Sequence, residues 1–202
     1  ENRYAYLNEI LPTTAAENLA LEVDKDPRLV QLILDESKEV VAKRPGVLIV
    51  EHRMGYVHAN AGIDQSNISS SEDEPRVLLL PKNPDKSAAK LCHELKTEEV
   101  SKLSIIINDS AGRAWRNGSI GFAIGTNGFE VVENMVGHRD LYDREMVVTE
   151  VAVADELAAA ASFLMGQADE SAPVVLIRGA QTKPSNEGSA ALIREKNKDL
   201  FR

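Results

Sequence analysis

The chain has 202 residues, 43% of them hydrophobic and 27% charged, a balance that excludes wholesale disorder, collagen and a coiled coil and suits one large domain or two small ones. Its net charge of −9 argues against nucleic acid as a partner, because phosphate contacts need a basic face, and no apolar run reaches the ~18 residues of a membrane span. A single cysteine, Cys92, excludes an internal disulfide and fits a reducing cytoplasm, and the chain opens at Glu1 with neither a Met nor a secretory leader.

Along the chain, Thr14-Ala15-Ala16-Glu17 reads as a capping box opening a helix that carries Leu19, Leu21 and Val23. Asp26-Pro27 opens a second helix, with Leu29, Val30, Ile33, Leu34, Val40 and Val41 on its apolar face and Arg44-Pro45-Gly46 as its end. Val47–Val50 reads as a buried strand, Met54-Gly55 as a turn and Tyr56–Ala59 as the returning strand. Residues 60–67 form a loop rich in turn formers, and Ser69–Pro75 a polar, mobile stretch. Val77–Leu80 is a strand, Pro81–Lys86 a loop and Ser87–Leu95 a helix. Ser104–Ile107, bulky and β-branched, is a strand ending at Asn108-Asp109-Ser110.

The glycine-rich stretch Gly118–Gly128 lacks phosphate-loop spacing, and Asn127-Gly128 is a hairpin signal. Met146–Val148 continues as strand, Glu150–Met165 as an alanine-rich helix stopped by Gly166, Val174–Ile177 as a last strand, and a terminal helix begins at Ala190. Without regular βαβ alternation, the expectation is an α+β fold with mixed or antiparallel sheets and flanking helices, forming a single domain over residues 1–202.

Two loops concentrate candidate chemistry, Gly62-Ile63-Asp64-Gln65-Ser66-Asn67 and Asn108-Asp109-Ser110-Ala111-Gly112-Arg113. Each places an Asp after a strand beside a hydroxyl or amide, hard oxygen donors that suit Mg²⁺ or Mn²⁺. Such an Asp more commonly makes an Asx turn or a helix cap. Arg113, Arg116, Arg139, Arg144 and Arg178 sit at loop-like positions where guanidinium forks suit phosphate or carboxylate, although surface ion pairs are the commoner role. Trp115 reads as a packing residue and Cys92 as a buried thiol in a helix. His52, His58, His93 and His138 have no metal-ligand spacing.

Several longer motifs carry a resemblance. Lys25–Val30, Ala59–Asn67, Leu79-Leu80-Pro81, Asp109–Arg116 and Gly121–Gly125 resemble the coenzyme F420-0:L-glutamate ligase family, the gamma-glutamyl ligases. Asp140-Leu141-Tyr142, Ala154–Leu157, Met165-Gly166 and Ile177-Arg178-Gly179 continue the likeness in order, over essentially the whole chain. The resemblance implies the ligase's own α+β fold, an intertwined homodimer, and a cytoplasmic enzyme that joins L-glutamate to a deazaflavin coenzyme precursor at the expense of GTP. It implies Mg²⁺ or Mn²⁺ at two divalent sites, with K⁺ assisting, and an acyl phosphate as the activated form of the acceptor carboxylate. Neither nucleic acid nor membrane is implied as a partner.

Carried over residue by residue, Asp64 and Asp109 are similar to the two carboxylates that ligate one divalent cation and act in catalysis. Ser110 matches a ligand of the second metal, Gln167 stands where many relatives have an acidic residue near that metal, and Asn67 matches the Asn that contacts the nucleotide. Arg113, Arg116, Arg144 and Arg178 are the candidates for phosphate or substrate.

Three departures stand out. The family's N-terminal strand and its Ser-Lys element would precede Glu1, Asp143 replaces the usual Gly of an Asp-Leu-Tyr-Gly-Arg motif, and Ser69–Pro75 is longer and more acidic than in typical relatives. The alternatives are a ligase of the same fold acting on another carboxylate, and a non-catalytic homologue that binds a nucleotide or coenzyme.

Overall fold

In the computed structural model, which describes residues 3–71, 73–100 and 102–201, the chain divides into two compact units. The first takes residues 1–82, 111–117 and 196–202; the second takes 83–110 and 118–195. Mixed helices and small antiparallel sheets bear out the α+β expectation.

The first unit opens with β1 (Tyr4–Tyr6) and α1 (Thr14–Val23). The cap of α1 is Thr13, one residue before the expected box: its hydroxyl accepts the Ala16 N–H at 3.3 Å. Helix α2 (Pro27–Asp35) starts as read, with the Asp26 carboxylate accepting the Arg28 N–H at 2.8 Å. It does not run on to Arg44. Residues Ser37–Arg44 form strand β2, which hairpins through Pro45-Gly46 into β3 (Val47–His52) and pairs Val40 with Val50. Val40 and Val41 are β-branched and suit a pleated surface, while Ser37 turns its hydroxyl back onto the Ile33 carbonyl and closes the helix. Strand β4 (Val57–Ala59) completes a three-stranded sheet on β3, and β5 (Arg76–Leu78) pairs with β1. Leu19, Val23, Val30, Ile33, Leu48, Val50 and Val77 form the core between the helices and these sheets.

A charged cluster sits at the end of α2. Buried Glu36 receives both forks of Arg3, at 2.9 and 3.0 Å, and Arg53 Nη2 at 3.1 Å, with His52 Nε2 3.5 Å away. Burial works to raise the Glu36 carboxyl, but the guanidiniums and His52 outweigh it and hold it below its usual value. His52 Nδ1 accepts the Met54 N–H, which leaves the ring proton on Nε2, facing Glu36. Burial lowers the pKa of both His52 and His58, the latter to about 4.

The second unit begins with α3 (Pro84–Leu95), three residues earlier than read, because Asn83 accepts the Lys86 N–H as N-cap and Pro84 takes the first helical position. Cys92 is buried on this helix, as expected, with its thiol on the Leu103 carbonyl at 3.2 Å. Strand β6 (Ile105–Arg113) runs five residues beyond Asn108, and β7 (Arg116–Asn127) returns beside it. The hairpin turn is therefore Ala114-Trp115 and not Asn127-Gly128. Trp115 adopts φ 64° and is 86% exposed, so it does not pack within the chain beyond an approach of 6.5 Å to the Phe201 ring.

Helix α4 (Val153–Met165), after the short pair β8 (Glu133–Asn134) and β9 (Glu150–Val151), ends at Gly166 as read. Met146–Val148 and Val174–Ile177 are not strands. The first folds into an irregular loop closed by Met146 N–H to His138 O at 2.8 Å. The second pairs with no other strand among the described residues, and Val174 is 83% exposed; β-propensity is realised only where a partner strand packs alongside. From Ser189 on, the described residues form short 3-10 turns at Ser189–Leu192 and Lys196–Lys198 in place of a terminal helix. Of the acidic loop Ser69–Pro75, Glu72 lies outside the described residues, as do Glu1 and Asn2.

The glycines of β7 have a packing role. Gly121, Ala123 and Gly125 alternate onto one face. A Cβ on Gly121 would lie 2.3 Å from the Ser162 Cβ of α4, and one on Gly125 only 2.5 Å from the Pro84 backbone of α3. Buried Ala123 gives its N–H to the Asp155 carboxylate of α4 at 2.9 Å. Two helices thus lie directly on the strand face that carries Gly121, Ala123 and Gly125.

The close packing on β7 and the burial of His58 on β4 each have a measurable consequence. Gly125→Ala forces Pro84 backbone to move and should cost about 2 kcal/mol or more, read as a fall in Tm; an unchanged Tm would refute the close approach. The unfolded chain protonates His58 near pH 6.5, whereas the fold resists protonation until about 4. Stability from this residue is therefore full above pH 6.5 and lost as pH falls towards 4. His58→Gln should flatten the decline of Tm across that window, and a slope equal to wild type would contradict the assignment.

Candidate functional site

The loop after β4 is built from left-handed backbone. Asn60, Ala61, Gly62 and Asn67 have φ of 53°, 55°, 67° and 51°. For a residue such as Ala61 that conformation costs roughly 1–2 kcal/mol, and such outliers gather where geometry serves a site. The surroundings enforce it. Ala61 and Ile63 are buried in the first core, and a Cβ on Gly62 would stand 2.8 Å from Leu80 Cδ1. Alternation then turns Asp64 outward.

Asp64 is held at its backbone by a two-way bridge to β5: its N–H donates to Leu78 O, and Leu78 N–H to Asp64 O, both at 2.9 Å. Its Oδ1 accepts the Ser66 N–H at 2.8 Å and the Ser66 hydroxyl at 2.7 Å, so the Asx turn does form. Oδ2 accepts no hydrogen bond from the described residues, and the residue is exposed. One oxygen orients the carboxylate and the other faces outward, an arrangement that suits a cation ligand as well as a turn. Asn67 closes the same loop.

Asp109 is not in a strand-end loop. It lies inside β6, half-buried, and its Oδ1 accepts the N–H of the neighbouring Ser110 at 2.7 Å. Asn108 Nδ2 reaches Met165 Sδ at 3.7 Å, which sets this part of β6 beside the end of α4, just before Gln167. Gln167 Nε2 donates to Ser162 Oγ at 3.0 Å, which fixes the orientation of the amide. Asp64 and Asn67 thus belong to the first unit, and Asp109, Ser110 and Gln167 to the second.

Glu170 was not among the residues singled out from sequence. Its carboxylate accepts the Ala168 N–H at 2.8 Å and folds over Gly166, where a Cβ would lie 2.1 Å from its Cδ. Those backbone donors hold its carboxyl below the usual value. The only sequence signal was an acidic pair following the glycine that ends α4.

Arg113 and Arg116 flank the hairpin turn at strand ends, in the first unit. Arg144 lies over the Tyr142 ring at 5.7 Å, in a tight turn where the Asp140 carboxylate accepts the N–H groups of Tyr142 and Arg144. Asp143 holds the left-handed position of that turn at φ 64°, so Asp does stand in for Gly, and its carboxylate pairs with Arg139 at 3.0 Å. Arg178 lies on the stretch without regular secondary structure before Lys183 and is exposed.

Among the described residues no group of three or more His, Cys, Asp or Glu could hold a metal by itself. A cation bound through one or two carboxylates and the phosphates of a nucleotide needs no such group. The donors at hand are carboxylate, hydroxyl and amide oxygens, which fit Mg²⁺ or Mn²⁺ better than zinc. Among the described residues no helix is long and apolar enough to cross a membrane.

Comparison with known proteins agrees with the motifs. The coenzyme F420:L-glutamate ligase of Methanocaldococcus jannaschii is 44% identical over 195 residues, 96% of this chain and 76% of the relative. The proteins of the same name from Methanothermobacter thermautotrophicus and Archaeoglobus fulgidus are 43% and 39% identical, each over 100% of this chain and 79% of the relative. The family model F420-0:Gamma-glutamyl ligase matches residues 1–179, and the chain belongs to that family.

Proposed function

We propose that this protein is a ligase that joins L-glutamate to the deazaflavin coenzyme precursor F420-0, using GTP. The observation that carries the reading is likeness at 39–44% identity along nearly the whole chain to ligases named for coenzyme F420 and L-glutamate. A terminal carboxylate oxygen of the acceptor attacks the γ-phosphorus of GTP, and GDP leaves. The acyl phosphate so formed is attacked at its carbonyl carbon by the glutamate amine; phosphate departs and an amide remains. Phosphoryl transfer of this kind depends mainly on positioning and on charge neutralisation.

Asp64 and Asp109 are the proposed carboxylate ligands of Mg²⁺ or Mn²⁺, with Ser110 and Gln167 at a second divalent site and Asn67 contacting the nucleotide. K⁺ is proposed as an assisting ion. The divalent ion, when bound, supplies positive charge to the phosphate oxygens. The chain's own part is to hold these oxygens still. Ser66 and the Leu78 bridge do so for Asp64, and Ser162 does so for the Gln167 amide. Arg113, Arg116, Arg144 and Arg178 are the proposed contacts for phosphate and carboxylate groups. In a chain of net charge −9, such local cations and bound metal are what admit an anionic substrate.

The test is an incubation of the protein with F420-0, GTP, Mn²⁺ and L-glutamate, read by mass spectrometry. One glutamyl unit gained per GDP formed is expected, and the absence of both would overturn the reading. Asp109→Asn removes a negative charge at nearly constant shape and should lower turnover at least ~10²-fold, with partial rescue by higher Mn²⁺. A purely structural Asp109 would instead lower Tm and leave the Mn²⁺ dependence of the folded fraction unchanged.

A homodimer is part of the proposal. In the second unit Phe163, Leu141, Val147, Val148, Val174 and Leu176 are all exposed, more large apolar surface than a monomer usually leaves to water. Light scattering at micromolar concentration should give twice 22.1 kDa, and the mass of one chain would exclude it.

A further inference from the structure

We infer that Glu36 is a positioning residue for the Asp64 carboxylate, acting through Arg3 and strand β5. The inference rests on the metal-ligand role proposed for Asp64. It starts from a side-chain cluster that the reading of the site does not use. Glu36 is buried at the end of α2, remote in sequence from Asp64, and it is bound by two arginines at once.

Arg3 is the link. Its guanidinium spans the two oxygens of Glu36, and Nη1 also donates to the Leu80 carbonyl at 2.6 Å. Its backbone carbonyl accepts the Leu79 N–H at 3.0 Å. Arg3 therefore holds the end of β5 by main chain and side chain together. Leu78, the next residue back, pairs with Tyr4 of β1 and with Asp64. Leu80, on the other side, is the side chain against which Gly62 is pressed.

Every described backbone contact that fixes Asp64 to a neighbouring segment thus runs through β5. The end of β5 is tied in turn to Glu36. Arg53 Nη2 binds both Glu36 and the Asp35 carbonyl, so the anchor is pinned to the helix end and cannot swing with Arg3. A planar fork is required here: a lysine ammonium in place of Arg3 could not engage both Glu36 oxygens and the Leu80 carbonyl in this geometry.

The alternative is that the cluster only stabilises the first unit. Direct Mn²⁺ binding to the full chain, followed by the electron paramagnetic resonance of free Mn²⁺ well below each variant's Tm, separates the two. Glu36→Gln and Arg3→Lys should each weaken Mn²⁺ binding about tenfold, the low end of what is lost when groups that orient metal ligands are removed. In an Asp64→Asn background the same changes should add little, because both act through one ligand. Arg3→Lys keeps the positive charge on Glu36 and serves if Glu36→Gln does not fold. Wild-type affinity in both variants, with only Tm lowered, would overturn the inference, as would fully additive losses in the Asp64→Asn background. A wild-type protein that binds no Mn²⁺ would overturn the metal role of Asp64 itself, and this inference with it.

Discussion

The first unit depends on a short strand being paired on both sides. Residues Arg76–Leu78 would be marginal alone, since an isolated two-stranded ribbon is barely stable in water. At Leu78 the strand has Tyr4 on one side and Asp64 on the other. Each such hydrogen bond contributes only about 0.5–1.5 kcal/mol net, but leaving a buried one unmade costs more. Val77, fully buried between these pairs, adds its side chain to the core. The strained loop of Asn60 to Gly62 persists because these contacts and the burial of Ala61 and Ile63 over-determine it.

A different constraint organises the second unit. There the spacing of backbones, and not a ladder, sets the geometry. Gly121, Ala123 and Gly125 let α4 and the start of α3 approach the strand to contact distance. Polar hooks then fix the register. The Asp155 carboxylate takes the Ala123 N–H, and the Asp85 carboxylate takes the N–H groups of Thr126 and Ser189. Ser189 returns its own hydroxyl to the Ile124 carbonyl, which ties the chain after α4 to β7 without secondary structure of its own. Burial holds the Asp155 carboxyl above its usual value, a cost accepted for an oriented acceptor.

Much of this was legible in the residues. The cap at Asp26, the buried strand Val47–Val50, the turn at Met54-Gly55 and the stop at Gly166 are local events, decided within a few residues of chain. So was the left-handed position of Asp143, since Asp is one of the few residues that tolerates it. The cap of α1 and the start of α3 shifted by one and three residues, but the larger departures were not local. Val40 and Val41 continue an apolar helical period, yet they pair with β3 across Pro45-Gly46. Asp109 follows an obvious strand, yet the strand continues because β7 returns alongside it. Val174–Ile177 has the composition of a strand and pairs with none of the described strands.

The site divides in the same way. The side chains proposed for the chemistry, Asp64, Asp109, Ser110, Asn67 and Gln167, could be singled out from residue types and their order along the chain before any fold was known. How they are held depends on contacts that folding creates. Glu36, Arg3 and Arg53 lie in no recognisable pattern, because a hydrogen-bond partner far along the chain leaves no periodicity behind, while Ser162 and Glu170 act locally at the end of α4 with no motif to mark them. The glycines of β7 show the limit most plainly. Their number was evident in the sequence, but the reason for Gly121 and Gly125, a helix packed against each at contact distance, exists only once the chain has folded.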